Sequence, residues 1–231
     1  LRLLHLDQSL LPKLVHPPFQ SFLLRRNNLD HMNKHNPLHT FLFVRHVQQF
    51  ASLLVRLTNV PLLHQTFEEL LQGPLELHVE DGLIMPNIRM QGEKECCIFL
   101  NKEGRCDIHA FRPGYCRLFP LGRNYEEGKL SYFVLKEACP APVKTKVKIQ
   151  KWLSIPNMKD YERFLIEWHA LIKQLRTILG QSEMDDAVGK AINMKFLQIF
   201  FINAYQSEDF YAQIKVRLDE MKHFLQMLGA N

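Results

Sequence analysis

Five cysteines are the residues of this chain best suited to chemistry. Cys96, Cys97, Cys106, Cys116 and Cys139 fall within 44 residues of a 231-residue sequence. Thiolates are soft, strong ligands for zinc, iron or an iron–sulfur cluster, and in a reducing compartment a local concentration of them suggests metal before disulfide. Leaving Cys96 aside, eight residues separate Cys97 from Cys106, nine separate Cys106 from Cys116, and twenty-two separate Cys116 from Cys139. None of these is the Cys-x2-Cys knuckle of a zinc ribbon. The cysteines instead adjoin residues that bend or stiffen a backbone: Lys102-Glu103-Gly104 before Cys106, Arg112-Pro113-Gly114 before Cys116, and Pro140 after Cys139. Four sulfurs can therefore meet, but reduced cysteine also serves as a small buried filler or as a nucleophile. Spacing alone leaves metal ligation, inert thiols and nucleophilic catalysis open. Cys96 is the dispensable member, because adjacent residues of a strand point to opposite faces and Cys96 and Cys97 cannot then share one ion.

The polar neighbours divide in the same way. His109, three residues after Cys106, has a spacing that would suit a mixed Cys/His site, but a hydrogen-bonded loop histidine is the expected role. Arg112 and Arg117 flank Cys116 and can lower its pKa, donate hydrogen bonds to sulfur, or form ion pairs. Lys144, Lys146, Lys148 and Lys151 look like a nucleic-acid stripe, yet Val147 and Ile149 between them fit a strand or turn with one solvated face. No aromatic residues interleave them, so no nucleic-acid partner is expected. The chain also lacks a phosphate-cradling glycine loop, a Gly-x-Ser-x-Gly elbow, a His-Glu-x-x-His helix and a dinucleotide fingerprint, so the common enzyme classes are without their local signatures.

The elements that must position these residues begin near residue 65. Thr66 to Gly73 predicts a short helix, with Thr66 as N-cap, acids in the first turn and glycine at the end. Leu75, Leu77 and Val79 alternate with Glu76, His78 and Glu80; Asp81-Gly82 then supplies a tight turn, and Leu83 and Met85 resume the alternation until Pro86 confines that strand to an edge. A turn at Glu127-Gly128-Lys129 precedes a strand over Leu130–Leu135. Between Asn157, as cap, and Gly180, the apolar residues Tyr161, Phe164, Leu165, Trp168, Leu171, Ile172, Leu175, Ile178 and Leu179 recur at three and four residues and predict one long amphipathic helix. Two more helices are expected, over about Met184–Tyr205 with Ile192, Phe196, Ile199, Phe200 and Ala204 inward, and over about Glu208–Leu228 with Phe210, Ile214, Leu218, Met221, Leu225 and Leu228 inward. The fold class is α+β, mainly α-helical with a small antiparallel β element around the cysteine segment. The expected organisation is an atypical Leu/His-rich segment over 1–64, a cysteine-cluster domain over 65–155 and a helical region over 156–231.

Composition marks the first of those boundaries. The formal charge is +5, but residues 1–66 hold seven Lys/Arg against two acids, and the remaining 22 basic and 22 acidic residues balance. The same segment has seven of eleven histidines and no glycine or cysteine. Such a stretch reads as an appended helical segment, or as one foreign to the domain through a shifted frame or a misplaced start, more readily than as a basic arm for nucleic acid or membrane. The first residues lack a secretory signal, and the apolar stretch from Phe41 to Leu63 is broken by Arg45, His46, Gln48, Gln49 and Arg56, so a cytoplasmic chain with no membrane partner is expected.

The run Cys97-x-Phe99-Leu100, then Cys106-x-Ile108-His109, then Arg112-Pro113-x-x-Cys116-Arg117-x-Phe119-Pro120-Leu121, with a later Cys139-Pro140, resembles the YkgJ-like cysteine-cluster family of zinc- or iron-chelating proteins. Thr66–Leu70, Asp81–Asn87 and Lys144–Ile149 are similar to the version found in anaerobic Gram-positive bacteria, and the likeness covers roughly 65–230. The resemblance implies that zinc or iron, or an iron–sulfur cluster, is bound through Cys97, Cys106, Cys116 and Cys139, with Arg112 and Arg117 supporting the sulfurs. Because the same domain occurs in flagellin lysine N-methylases, it also leaves open a methylase acting on a protein substrate, an iron–sulfur redox enzyme, or a metal-free interaction protein. His109 stands where the family usually has tyrosine, which argues against an obligatory ligand. The family's other signature, a Cys-x-x-Cys-x-x-Cys-Cys-like cluster N-terminal to all of these residues, has no counterpart here, since residues 1–95 contain no cysteine.

Overall fold

The computed structural model describes residues 65–92, 96–111, 113–135, 147–181, 184–206 and 209–229. The expectations for the segment 1–64, and for Arg112, Cys139, Lys144 and Lys146, lie outside the described residues. In chain order the elements are helix α1 (Phe67–Gln72), strands β1 (Leu75–Glu80), β2 (Leu83–Ile88), β3 (Met90–Gln91) and β4 (Cys96–Cys97), helix α2 (Gly114–Leu118), strands β5 (Leu121–Glu126) and β6 (Lys129–Val134), and helices α3 (Ile149–Leu153), α4 (Met158–Leu179), α5 (Asp186–Leu197) and α6 (Phe210–Met227). A π-helical turn, Gln198–Ile202, continues α5. The strands form three separate antiparallel two-stranded ribbons, β1–β2, β3–β4 and β5–β6. All of these elements fall within one compact unit, Leu42–Asn231. The fold is mainly helical with small antiparallel β elements, as the sequence predicts.

Local chemistry explains the first ribbon. The Thr66 hydroxyl accepts from the Glu69 N–H at 3.2 Å while the Glu69 carboxylate accepts from the Thr66 N–H at 2.6 Å, a capping box that fixes the start of α1. Asp81 and Gly82 both take positive φ, 49° and 79°, as a tight hairpin turn requires. The register runs from Leu75 opposite Ile88 to Glu80 opposite Leu83. The predicted alternation fails in β2, all six residues of which are buried. The reason is that both α4 and α5 pack against β2. Asn193 of α5 closes the free edge of β2 by acting as a surrogate peptide: its Oδ1 accepts from the Ile84 N–H at 2.7 Å and its Nδ2 donates to the Gly82 carbonyl at 3.0 Å. Glu80 forms an ion pair with Arg176 of α4. Burial raises the Glu80 carboxyl above its usual range, outweighing the opposing pull of Arg176.

The helical layer carries the core. All nine residues of the predicted α4 stripe are buried. Trp168, 1% exposed, meets Phe200 edge-on with centroids 4.9 Å apart and lies 5.8 Å from Phe196, so the middle of α4 is locked onto α5 and its π turn. Phe67 lies 6.0 Å from Phe201 and ties α1 to the same centre. Several sequence expectations need correction. Asn157 does stand at the N-cap of α4, but its backbone is left-handed and its side chain makes no capping bond. The second C-terminal helix ends in the π turn rather than running to Tyr205, which leaves Ala204 exposed, and Leu228 lies past the end of α6, 39% exposed. At the third, Arg217 donates to the carbonyls of Ile199, Asn203 and Ala204 at 2.7–2.8 Å, satisfying the groups that the ended helix leaves open. Val147 and Lys148 lead into the short helix α3, which begins at Ile149, rather than forming a strand or turn, and Val147 and Ile149 are exposed. Strand β5 was not foreseen at all; its apolar content is too low to announce itself. Among the described residues, no helix is long and apolar enough to cross a membrane.

Candidate metal centre

Backbone hydrogen bonds show how the cysteine segment is shaped. Cys97 ends β4, opposite Met90. The Cys97 carbonyl accepts from the Leu100 N–H at 2.9 Å, and the Cys106 carbonyl accepts from the His109 N–H at 3.1 Å. Each of these cysteines is thus the first residue of a four-residue turn. The two turns are joined by an antiparallel bridge between Leu100 and Cys106 and by the Asp107 N–H to Phe99 carbonyl bond of 2.9 Å. Asn101 templates the loop between them: its Oδ1 accepts from the N–H groups of Glu103 (3.2 Å) and Arg105 (2.9 Å), and its Nδ2 donates to Asp107 at 3.1 Å. Gly104, at φ 73°, completes the reversal. Cys97 and Cys106 therefore sit on one tightly bonded hairpin, and both are half-buried.

Cys116 arrives on the next element. It lies in α2, a helix of five residues, and is exposed. Arg117 Nη2 donates to the Ala110 carbonyl at 3.1 Å, which ties α2 back to the 3-10 turn His109–Phe111 that follows Cys106. Leu118, 3% exposed, anchors the far end of α2. Beyond it, the Trp152 indole of α3 donates to the Phe119 carbonyl at 3.1 Å. Cys96 is exposed, one residue from Cys97 on a short strand, and lines an open groove of about 500 Å³ with Leu100, Asn101 and Gly104. His109 is exposed at the head of its turn.

Beside α2, the β5–β6 ribbon lies against α4 through polar aromatic contacts. Arg123 of β5, 7% exposed, donates from Nη2 to the Tyr161 hydroxyl, with its guanidinium carbon 5.4 Å from the Tyr161 ring centroid. Burial works against the Arg123 charge, but the surrounding phenols of Tyr161, Tyr125 and Tyr132 favour it and the net pKa is raised. Tyr132 is pushed up by burial and by Glu162, against the pull of Arg123. Tyr125 stacks on His169, with centroids 4.1 Å apart and ring planes 4° from parallel.

Burial lowers the His169 pKa from 6.5, and Lys173 and Arg176 push it the same way. A histidine with a depressed folded-state pKa stabilises the fold while neutral, so its contribution is complete above the unfolded value and is lost as pH falls through the folded one. The thermal midpoint should therefore drop on acidification from about pH 7 to about pH 5. His169→Phe keeps a ring on Tyr125 and binds no proton, and should flatten that dependence. Superimposable pH profiles for the two proteins would contradict this role.

Two thiols thus stand at the turns of a small hairpin and a third on an adjoining short helix. Residues 57–140 match the family CxxCxxCC, described as "Putative zinc- or iron-chelating domain". That segment is thus similar to a domain of the zinc- or iron-chelating kind. The match holds although residues 57–95 contain no cysteine, so the motif that names the family is missing from the matched segment. No curated protein and no solved structure matches the chain. The donors present suit a thiophilic metal by their chemistry. Among the described residues, however, no group of three or more His, Cys, Asp or Glu side chains gathers in a way that could hold an ion. Cys97, Cys106 and Cys116 alone therefore do not make a closed site, and Cys139 lies outside the described residues.

Sequence reasoning missed Asn101, Gly114, Arg123 and Tyr161 as parts of this arrangement. The Asn101-x-x-Gly104 spacing is a usable turn signal. Tyr161 was visible only as one more apolar position of α4, and nothing in the sequence links it to Arg123.

Proposed function

We propose that the chain binds zinc or iron through the thiolates of Cys97, Cys106, Cys116 and Cys139, with Arg112 and Arg117 supporting the sulfurs. The observation that carries this reading is the pair of turns opened by Cys97 and Cys106 on one hairpin, next to an α2 tethered by Arg117 to the turn that follows Cys106. The match to a zinc- or iron-chelating domain supports it. A bound zinc would hold these loops together, and a bound iron or iron–sulfur cluster would add redox capacity. In the fuller form of the proposal the chain is a cytoplasmic, bacterial, YkgJ-like protein that acts as a metal carrier or centre without nucleic-acid or membrane partners. A lysine methylase-like or iron–sulfur redox reaction on a protein substrate is the secondary reading.

Elemental analysis with an absorption spectrum after anaerobic purification tests it. The expected result is roughly one equivalent of zinc with an empty visible spectrum, or iron with visible charge-transfer bands. A chain that folds identically in strong chelator and holds neither metal would be the interaction protein instead.

A further inference from the structure

We infer that Tyr161, held by Arg123, is a positioning residue that sets where α2 presents the Cys116 thiol. This inference rests on the metal-binding proposal and adds to it a control point on the helical layer. Tyr161 lies on α4, far in sequence from every cysteine, and is 4% exposed. Its hydroxyl accepts from Arg123 Nη2, and the guanidinium lies near the Tyr161 ring, so the ring is fixed in place. Gly114, the first residue of α2, packs directly against that hydroxyl: a Cβ at Gly114 would stand 2.7 Å from Tyr161 Oη, against 3.5 Å from Cζ. Glycine is therefore the residue that allows α2 to approach so closely.

Cys116 follows two residues later in the same five-residue helix. A helix this short has no rigidity of its own, so its pose is set by what touches it. The contacts that set it include Tyr161 at Gly114, the buried Leu118 at the other end, the Arg117 bond to the Ala110 carbonyl and the packing of α3. The thiol itself is exposed, so burial does not fix it. A metal site tolerates errors of only about 0.2 Å in ligand distance. The closeness of Gly114 to Tyr161 thus becomes a determinant of affinity.

The test is anaerobic titration of the full chain with Co²⁺, read by thiolate-to-cobalt charge-transfer absorption, with circular dichroism and the thermal midpoint recorded in parallel. Gly114→Ala drives a methyl group into the hydroxyl and should weaken Co²⁺ binding by about tenfold or more, the scale seen when groups supporting metal ligands are altered. Tyr161→Phe deletes the oxygen that the methyl meets. The double variant should therefore recover most of the lost affinity. The thermal midpoint separates positioning from general stability: because Tyr161→Phe also takes away the acceptor of Arg123, the double variant should recover affinity without a matching recovery of the midpoint. Absence of Co²⁺ uptake by the unsubstituted chain would overturn the metal-binding proposal itself. Uptake by that chain, with Gly114→Ala equally tight or the double variant no tighter than the single one, would overturn the positioning role alone. Should Gly114→Ala fail to fold, Tyr161→Phe by itself decides: a shifted charge-transfer band with several-fold weaker binding is expected, and an unchanged spectrum and affinity would refute the inference.

Discussion

Cys106→Ser should strip the chain of most of its zinc or iron, and Cys97→Ser should do the same, whereas Cys96→Ser should leave the metal content unchanged. The hydroxyl of serine is a far poorer ligand for a thiophilic ion than a thiolate, so loss of one of the four proposed donors is expected to cost orders of magnitude in affinity. The ranking follows from geometry. Cys97 and Cys106 open two turns that are hydrogen-bonded to each other across one hairpin. Cys96 is the neighbour of Cys97 on a strand and lines an outer groove. Elemental analysis of the three variants, purified side by side, checks it. Metal lost from Cys96→Ser and retained by Cys97→Ser would reverse the assignment.

The second large effect is one of stability. Asn193→Leu should lower the unfolding free energy by about 3 kcal/mol, because it leaves the buried Ile84 N–H and the Gly82 carbonyl without their partner. The thermal midpoint should fall by about 6–12 °C in a chain of this size. The effect is large because Asn193 substitutes for a missing strand along the edge of β2, where the Ile84 N–H is buried away from water. A midpoint within about 2 °C of the unsubstituted chain would show that the edge is satisfied in another way.

Elements with a repeating signal were legible in the sequence. The α4 stripe, from Tyr161 to Leu179, matches the buried set residue for residue, because a 22-residue amphipathic helix gives its period many chances to show. The Asp81-Gly82 and Glu127-Gly128 turns were equally plain, since few residue types accept positive φ. Strand β2 departs from the alternation rule because two helices, α4 and α5, pack against it, which a pattern within one segment does not reveal. The π turn at Gln198–Ile202 shortened the second C-terminal helix without any proline or glycine to announce it. Among the site residues, the cysteines and their bends were visible one by one. Their mutual tethers, Arg117 to Ala110 and Arg123 to Tyr161, join residues 7 and 38 positions apart, and no local spacing encodes such pairs.

X-ray absorption at the metal edge of the loaded full chain reads thiolate ligation of zinc or iron at the ligand atoms themselves. A sulfur shell at about 2.3 Å is expected, losing amplitude in Cys106→Ser and Cys116→Ser. A shell of oxygen and nitrogen alone at about 2.0–2.2 Å, unchanged when those cysteines are replaced, would contradict it.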